Sequence, residues 1–183
     1  WGGNEVRGLE ADFREHFGVK HAIAVNSATS ALHCATMAMG LGPGDEVIVS
    51  PYTMSASATA ILMTGAVPVF ADIEDRTFGL DPQSVEAAVT CRTRGIMAVN
   101  LFGHGARLDE LRTIADRREL FLIEDNAQAP DARYRGRKTG TIGACGIFSF
   151  NRHKTMQCGE GGVLITDDEQ IALKAALFRN HGE

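Results

Sequence analysis

No apolar run in this 183-residue chain approaches the length of a membrane-spanning helix. The most apolar stretch, residues 56–70, is interrupted by Gly65 and Pro68, whereas a span needs about 20 consecutive apolar residues. Nothing resembles a signal peptide. An excess of basic charge is also missing: 18 Lys and Arg stand against 23 Asp and Glu, mixed along the chain for a net charge of −5. No basic stripe marks a surface for nucleic acid. Cysteine is sparse, and Cys34, Cys91, Cys145 and Cys158 show no Cys-x-x-Cys spacing, so they read as free thiols in a reducing, cytoplasmic compartment. The six histidines include no pair at the spacing of a helical metal site, and no metal is expected. There is no initiator methionine before Trp1, and the chain stops at Glu183 inside a segment that still reads as helical, so the expectation is a longer protein truncated at both ends.

What is present is an ordinary globular composition, 44% hydrophobic and 22% charged, enough for one domain with a real core. Short β-branched apolar runs alternate with helical patterns, which predicts an α/β domain with a mostly parallel central sheet flanked by helices. Strands are expected over residues 22–26, 46–50, 67–71, 95–100, 120–124, 146–150 and 162–166. Helices are expected over 28–39, 55–63, 82–89 and 108–118; in the last, Leu108, Leu111, Ile114 and Ala115 share one face. Gly40-Leu41-Gly42-Pro43-Gly44 imitates a phosphate loop, but it follows a helix and precedes a strand. Phosphate loops have the reverse order, so this one reads as a helix C-cap and turn.

Open α/β sheets collect ligands at the carboxyl ends of their strands, and three polar segments fall there. Asn26-Ser27-Ala28-Thr29-Ser30 opens a helix, where free amides, the helix dipole and small side chains suit an anion; a plain N-cap accounts for the same residues. Ile123-Glu124-Asp125-Asn126-Ala127-Gln128 places two carboxylates and an amide after an apolar run. A carboxylate there either caps a turn or faces the ring nitrogen of pyridoxal phosphate, keeping that nitrogen protonated so the ring withdraws electrons, and Asp125 suits the second role. In Phe148-Ser149-Phe150-Asn151-Arg152-His153-Lys154, followed by Gly159-Glu160-Gly161-Gly162, a lysine sits between an aromatic-flanked serine and a glycine-rich turn. Lone lysines after strands are usually solvated surface groups. Desolvation or a nearby cation such as Arg152 instead favours the neutral amine of a lysine, the form that attacks an aldehyde, which makes Lys154 the chosen nucleophile.

With these motifs in this order, the sequence resembles the DegT/DnrJ/EryC1/StrS family of fold-type-I pyridoxal-phosphate aminotransferases, from Leu9-Glu10 through Asn180-His181-Gly182. The resemblance implies the large cofactor-binding domain of such an enzyme over residues 1–183, with the small C-terminal domain not in this chain. It puts the Schiff base on Lys154, the pyridine-nitrogen partner on Asp125 and a contact to the ring hydroxyl on Gln128. Ser149, Thr29 and Ser30 fall on the phosphate cup. In Pro51-Tyr52-Thr53-Met54 the family commonly has an aromatic residue that stacks on the cofactor ring, and Met54 takes its position, leaving a sulfur contact from Met54, a contribution from Tyr52, or simple core packing of Met54.

The implied reaction moves an amino group from glutamate or glutamine to a nucleotide-linked keto-sugar or a keto-cyclitol, in a homodimer with its active site at the subunit boundary. Relatives with histidine in place of the lysine carry out dehydration, and this chain keeps the lysine. The rivals are a dehydratase or lyase using the same cofactor and a non-catalytic cofactor-binding regulator. An isolated piece of such an enzyme is expected to be inactive and less stable than the whole, because surfaces normally covered are exposed.

Overall fold

The computed structural model describes residues 3–182. Helix α1 (Asn4–Phe17) leads into β1 (His21–Val25), α2 (Ala28–Ala38), β2 (Glu46–Val49), α3 (Ala56–Leu62) and β3 (Val67–Phe70). There follow α4 (Pro82–Ala88), β4 (Thr93–Val99), α5 (Leu108–Arg118) and β5 (Phe121–Asp125). A two-residue hairpin, β6 (Arg133–Tyr134) and β7 (Arg137–Lys138), precedes β8 (Cys145–Ser149), β9 (Gly162–Thr166) and α6 (Glu169–Arg179). All seven expected strands are present, displaced by no more than two residues at an end.

The seven strands form one sheet in the order β1-β9-β8-β5-β4-β2-β3. The pairs β8-β5, β5-β4, β4-β2 and β2-β3 are parallel, whereas β9 runs antiparallel to both β1 and β8. A single reversed strand therefore lies among six that share a direction. The carboxyl ends of β1, β2, β4, β5 and β8 consequently meet at one edge, and the loop joining β8 to β9 turns over at that same edge.

Period-two alternation assigns each strand residue to a face. Val47, Val49, Met97, Ile123, Cys145, Ile147 and Leu164 pack with Leu32, Ala35, Ala60 and Ile61 of α2 and α3 in one core layer. Ile48, Ile96, Ala98 and Leu122 point the other way, toward Val85 of α4 and Leu108, Leu111 and Ile114 of α5. A third cluster sets Phe13 of α1 against Phe148, Phe150, Val163 and Ile165. The Phe13 ring lies edge-on to Phe148 at 5.6 Å and to Phe150 at 5.7 Å. Helix α1 is not among the sequence-predicted elements, because most of its positions are polar and exposed and Phe13 alone is fully buried.

The glycine-rich segment after α2 is a helix terminus, as expected. Gly40 takes φ 75°, and the amides of Gly40 and Leu41 bond back to the carbonyls of Met37 and Thr36. The four cysteines are free, with Cys34 and Cys145 buried and Cys91 and Cys158 exposed. Among the described residues, no helix is long and apolar enough to cross a membrane.

Candidate active site

Asp125 is the last residue of β5 and follows Ile123 onto the sheet face covered by α2 and α3. Its Oδ2 accepts a hydrogen bond from the Ser57 hydroxyl at 2.9 Å and its Oδ1 accepts one from the Ala127 amide at 3.0 Å. Ser57 in turn lies 3.0 Å from the Thr53 hydroxyl. Burial pushes the Asp125 carboxyl above the ordinary carboxylate range, against the lowering influence of the Ala127 amide, the Ser57 hydroxyl and the charge of Lys154. Among the described residues no cation forms an ion pair with it.

Glu124 points the opposite way. Its Oε1 accepts from the amides of Ile142 and Gly143, each at 2.7 Å, and its Oε2 from the amide of Gly140 at 2.7 Å. Burial raises this carboxyl too, opposed by those three amides and the Asn100 side chain. Of the two adjacent acids, Glu124 ties down the 140–143 loop and Asp125 alone faces the ligand edge.

Ser149 ends β8 on the same face as Asp125, because Cys145 and Ile147 below it belong to the α2/α3 layer. The hairpin beyond continues through backbone bonds between Phe150 and Gly161, Arg152 and Gly159, and Cys158 and Phe150. Within it, the Lys154 amide bonds to the Asn151 carbonyl at 2.8 Å. The Arg152 guanidinium donates to the His153 ring at 3.2 Å and is exposed, so its structural partner is the imidazole.

On the α2 side, Ser27 is the N-cap: its hydroxyl accepts from the Ser30 amide at 3.1 Å and lies 3.1 Å from the Ser30 hydroxyl. The amides ahead of Ser30 are those an α-helix leaves without intrahelical partners, and they sit at the positive end of the helix dipole. Gly162 makes the approach possible, since a Cβ there would come within 2.7 Å of the Ala28 nitrogen and the Ser27 carbonyl carbon.

These pieces enclose a cavity of about 400 Å³. Thr29, Met54, Asp125, Gln128, Ser149 and Lys154 all line it. Ser30 does not: its hydroxyl turns back to Ser27, and it borders a separate cavity next to His33 and Arg179. Met54 is 60% exposed, so core packing is not its role. Tyr52 does not line the cavity and stands instead with Phe78 and Phe102 at ring-centroid distances of 6.2 and 6.3 Å. Sequence reasoning missed Ser57, Asn151 and Glu160. Ser57 was discoverable as a hydroxyl on the face of α3 otherwise occupied by Ala56, Ala60 and Ile61. Asn151 and Glu160, joined by a 2.5 Å hydrogen bond, come together only because the hairpin folds back.

The cavity suits an anionic, ring-bearing aldehyde. A helix N-terminus with Thr29 and Ser149 nearby can take a phosphate, and the Asp125 carboxylate, buried and served by neutral donors, calls for a cation such as a protonated ring nitrogen. Lys154 supplies an amine within the same walls.

A mostly parallel sheet carrying a lysine, a buried aspartate and a helix N-terminus at one edge defines the large domain of a fold-type-I pyridoxal-phosphate protein. The chain belongs to the DegT/DnrJ/EryC1/StrS aminotransferase family, whose sequence profile matches residues 1–183. Membership settles the cofactor, pyridoxal 5′-phosphate. The chain is 47% identical over 174 residues to the GDP-perosamine synthase of Caulobacter vibrioides, covering 95% of this chain and 47% of that protein. The X-ray structure of an aminotransferase from Psychrobacter cryohalolentis superposes with a TM-score of 0.97 at 42% identity, over 100% of this chain and 47% of that one. Streptomyces venezuelae DesV, solved in complex with a ketimine intermediate, gives a TM-score of 0.96 at 44% identity, over 100% of this chain and 49% of that one. The chain thus spans about half the length of the relatives it matches.

Proposed function

We propose that the protein to which this chain belongs is a pyridoxal-phosphate aminotransferase acting on a keto-sugar. The carrying observation is that Lys154 and Asp125, which are 29 positions apart in sequence, line one cavity at the carboxyl edge of the sheet. Residues 1–183 form the cofactor-binding part of the large domain, and the small domain lies in the remainder of the protein. The acceptor is a nucleotide-linked keto-sugar or a keto-cyclitol and the donor glutamate or glutamine. The name of the Caulobacter relative, GDP-perosamine synthase, and the TDP-sugar product of the structural neighbour DesI support the sugar. The donor leaves as a 2-oxo acid and the acceptor ketone becomes an amine, so the amino group and electrons balance. The working form is a homodimer in the cytoplasm.

When bound, pyridoxal phosphate supplies an aldehyde that carries the amino group and a ring that withdraws electrons. The Ala28 and Thr29 amides, with the Thr29 and Ser149 hydroxyls, bind the phosphate. Asp125, oriented by Ser57 and Ala127, would hold a proton on the ring nitrogen, and Gln128 would take the ring hydroxyl. Met54, which lines the cavity, would offer its sulfur to the ring. Lys154 Nζ takes the proton from the α-carbon of the donor and returns one to the carbonyl carbon of the acceptor, as general base and acid in turn.

Lys154→Ala in the intact protein removes the covalent attachment point. The visible absorption of the lysine-bound cofactor should vanish, while circular dichroism stays that of a folded protein. An unchanged absorption band rejects the assignment. Product analysis by mass, with a nucleotide-linked keto-sugar and glutamate, separates transamination from dehydration.

A further inference from the structure

On the face of the sheet covered by α4 and α5, the apolar layer turns polar at the carboxyl edge. Ile96 and Ala98 of β4 are followed at the same period by Asn100, and Leu122 of β5 by Glu124 and Asn126. Asn100, Glu124 and Asn126 are all fully buried, and none of them lines the cavities around Lys154. The opposite face at this height carries Val99 and Asp125, which do line the cofactor cavity.

Asn100 is the hub of this polar layer. Its Oδ1 accepts from the Ala106 amide at 2.8 Å, which closes the loop of residues 100–106. Because that amide can only donate, the side-chain nitrogen of Asn100 faces the other way. It donates to Asn126 Oδ1 at 2.8 Å and reaches Glu124 Oε2 at 3.4 Å. Asn126 in turn donates its own side-chain amide to the Glu124 carbonyl at 3.2 Å. Backbone bonds run alongside, from the Asn100 amide to the Asp125 carbonyl at 2.9 Å and from the Gly103 amide to the Gln128 carbonyl at 3.1 Å. One side chain thereby ties the loop after β4 to the turn after β5, and that turn carries Asp125 and Gln128. The loop so tied is strained: Phe102 and Gly103 both take left-handed φ, 52° and 83°, a conformation that a bulky residue rarely adopts. An apolar residue at position 100 would continue the layer below it but strand the Ala106 amide and the Asn126 oxygen. A fully satisfied buried polar network, by contrast, fixes one arrangement. What it fixes here is the placement of Gly103, Asp125 and Gln128, all of which wall the space next to Lys154.

We infer that Asn100 is a positioning residue: through Asn126 and Glu124, and without lining the cavity itself, its side-chain amide sets where Asp125 and Gln128 stand and so how firmly the cofactor ring is held. This rests on the reading above that gives Asp125 and Gln128 to the ring.

The test uses the intact protein. Asn100→Ala removes the hub and Asn126→Ala cuts the tether at its far end, while Val85→Ala, fully buried in α4 of the same layer, supplies a destabilised control. Equilibrium dialysis with pyridoxal phosphate is run at a temperature where circular dichroism shows each variant folded. Affinity should fall about tenfold or more in the two asparagine variants and stay within about twofold of wild type in the control. The pH midpoint of the bound cofactor's visible band should move in the same two variants, and kcat should fall with little change in the KM for glutamate. Since both substitutions cut one tether, the double variant should lose no more affinity than the weaker-binding single one. Lower melting temperatures with affinity and midpoint unchanged from the control make Asn100 merely structural and overturn the inference. Should Asn100→Ala not fold, Asn126→Ala carries the same comparison alone. Asp125→Ala separates the two readings: if it keeps wild-type affinity and midpoint, the assignment of the site fails. If it loses them and the asparagine variants do not, the tether alone fails.

Discussion

Asp125 and Glu124 adjoin in the chain, yet alternation sends them to opposite faces, and their electrostatics separate their duties. Because burial raises the Asp125 pKa above its ordinary 3.8, the ionised form opposes folding at neutral pH, and that penalty disappears as pH falls through the raised value toward the ordinary one. Asp125→Asn removes the charge, keeps an oxygen for the Ala127 amide and can donate its own amide to the Ser57 hydroxyl, which in the native protein donates to Asp125. The cofactor-free variant should therefore melt above wild type at pH 7, the gap closing on acidification, as thermal denaturation across pH would record. Addition of pyridoxal phosphate should stabilise wild type more than the variant, and turnover should fall steeply. Glu124→Ala acts differently, since it strands the amides of Gly140, Ile142 and Gly143. At roughly 1–3 kcal/mol for each unsatisfied buried donor, a loss of at least about 3 kcal/mol is expected in denaturant titration. Chemistry and resemblance singled out Asp125 of the adjacent pair, and Asp125 lines the cavity, but Ser57, 68 positions away, was illegible as its partner.

At the scale of elements, the strands and four central helices were legible because their apolar periods are strong and their ends carry turn residues. Helix α1 was not, since a mostly polar helix with one buried aromatic has little signal of its own. The β6-β7 hairpin escaped notice because two-residue strands show no period. The antiparallel course of β9 was equally hidden, as a strand's direction depends on its partners and not on its composition. That reversal brings Gly162 against the start of α2, where the Ser27 and Ala28 backbone leaves no room for a side chain. Gly162→Ala should cost about 1–3 kcal/mol by overpacking, and it should also displace the helix N-terminus. Weaker binding of pyridoxal phosphate, measured by equilibrium dialysis at a temperature where the variant remains folded, is the specific consequence.

For the molecule as a whole, stability and cofactor binding are linked, because the ligand edge assembles from segments as distant as Thr29 and Lys154 and exists only in the folded state. Pyridoxal phosphate should raise the melting temperature of the intact protein in a concentration-dependent way, by roughly 2.7 kcal/mol of stability at a hundredfold excess over Kd. Phe13→Ala tests the other end of the same cooperativity. It removes the ring that joins α1 to Phe148 and Phe150 on either side of Ser149, and a loss of about 3–5 kcal/mol is expected in thermal or denaturant unfolding. By itself the sequence determined the α/β alternation, the family and the cofactor, and it pointed to Lys154 and Asp125, because these reside in local periods and in motifs of adjacent residues. Which residues share a wall was decided by tertiary structure alone: Ser57 on the aspartate, Ser30 turned away, Tyr52 joined to two phenylalanines instead of the cofactor cavity. The physical reason is that a side chain's neighbours depend on strand order, direction and loop closure, and those emerge from packing energies summed over the entire sheet.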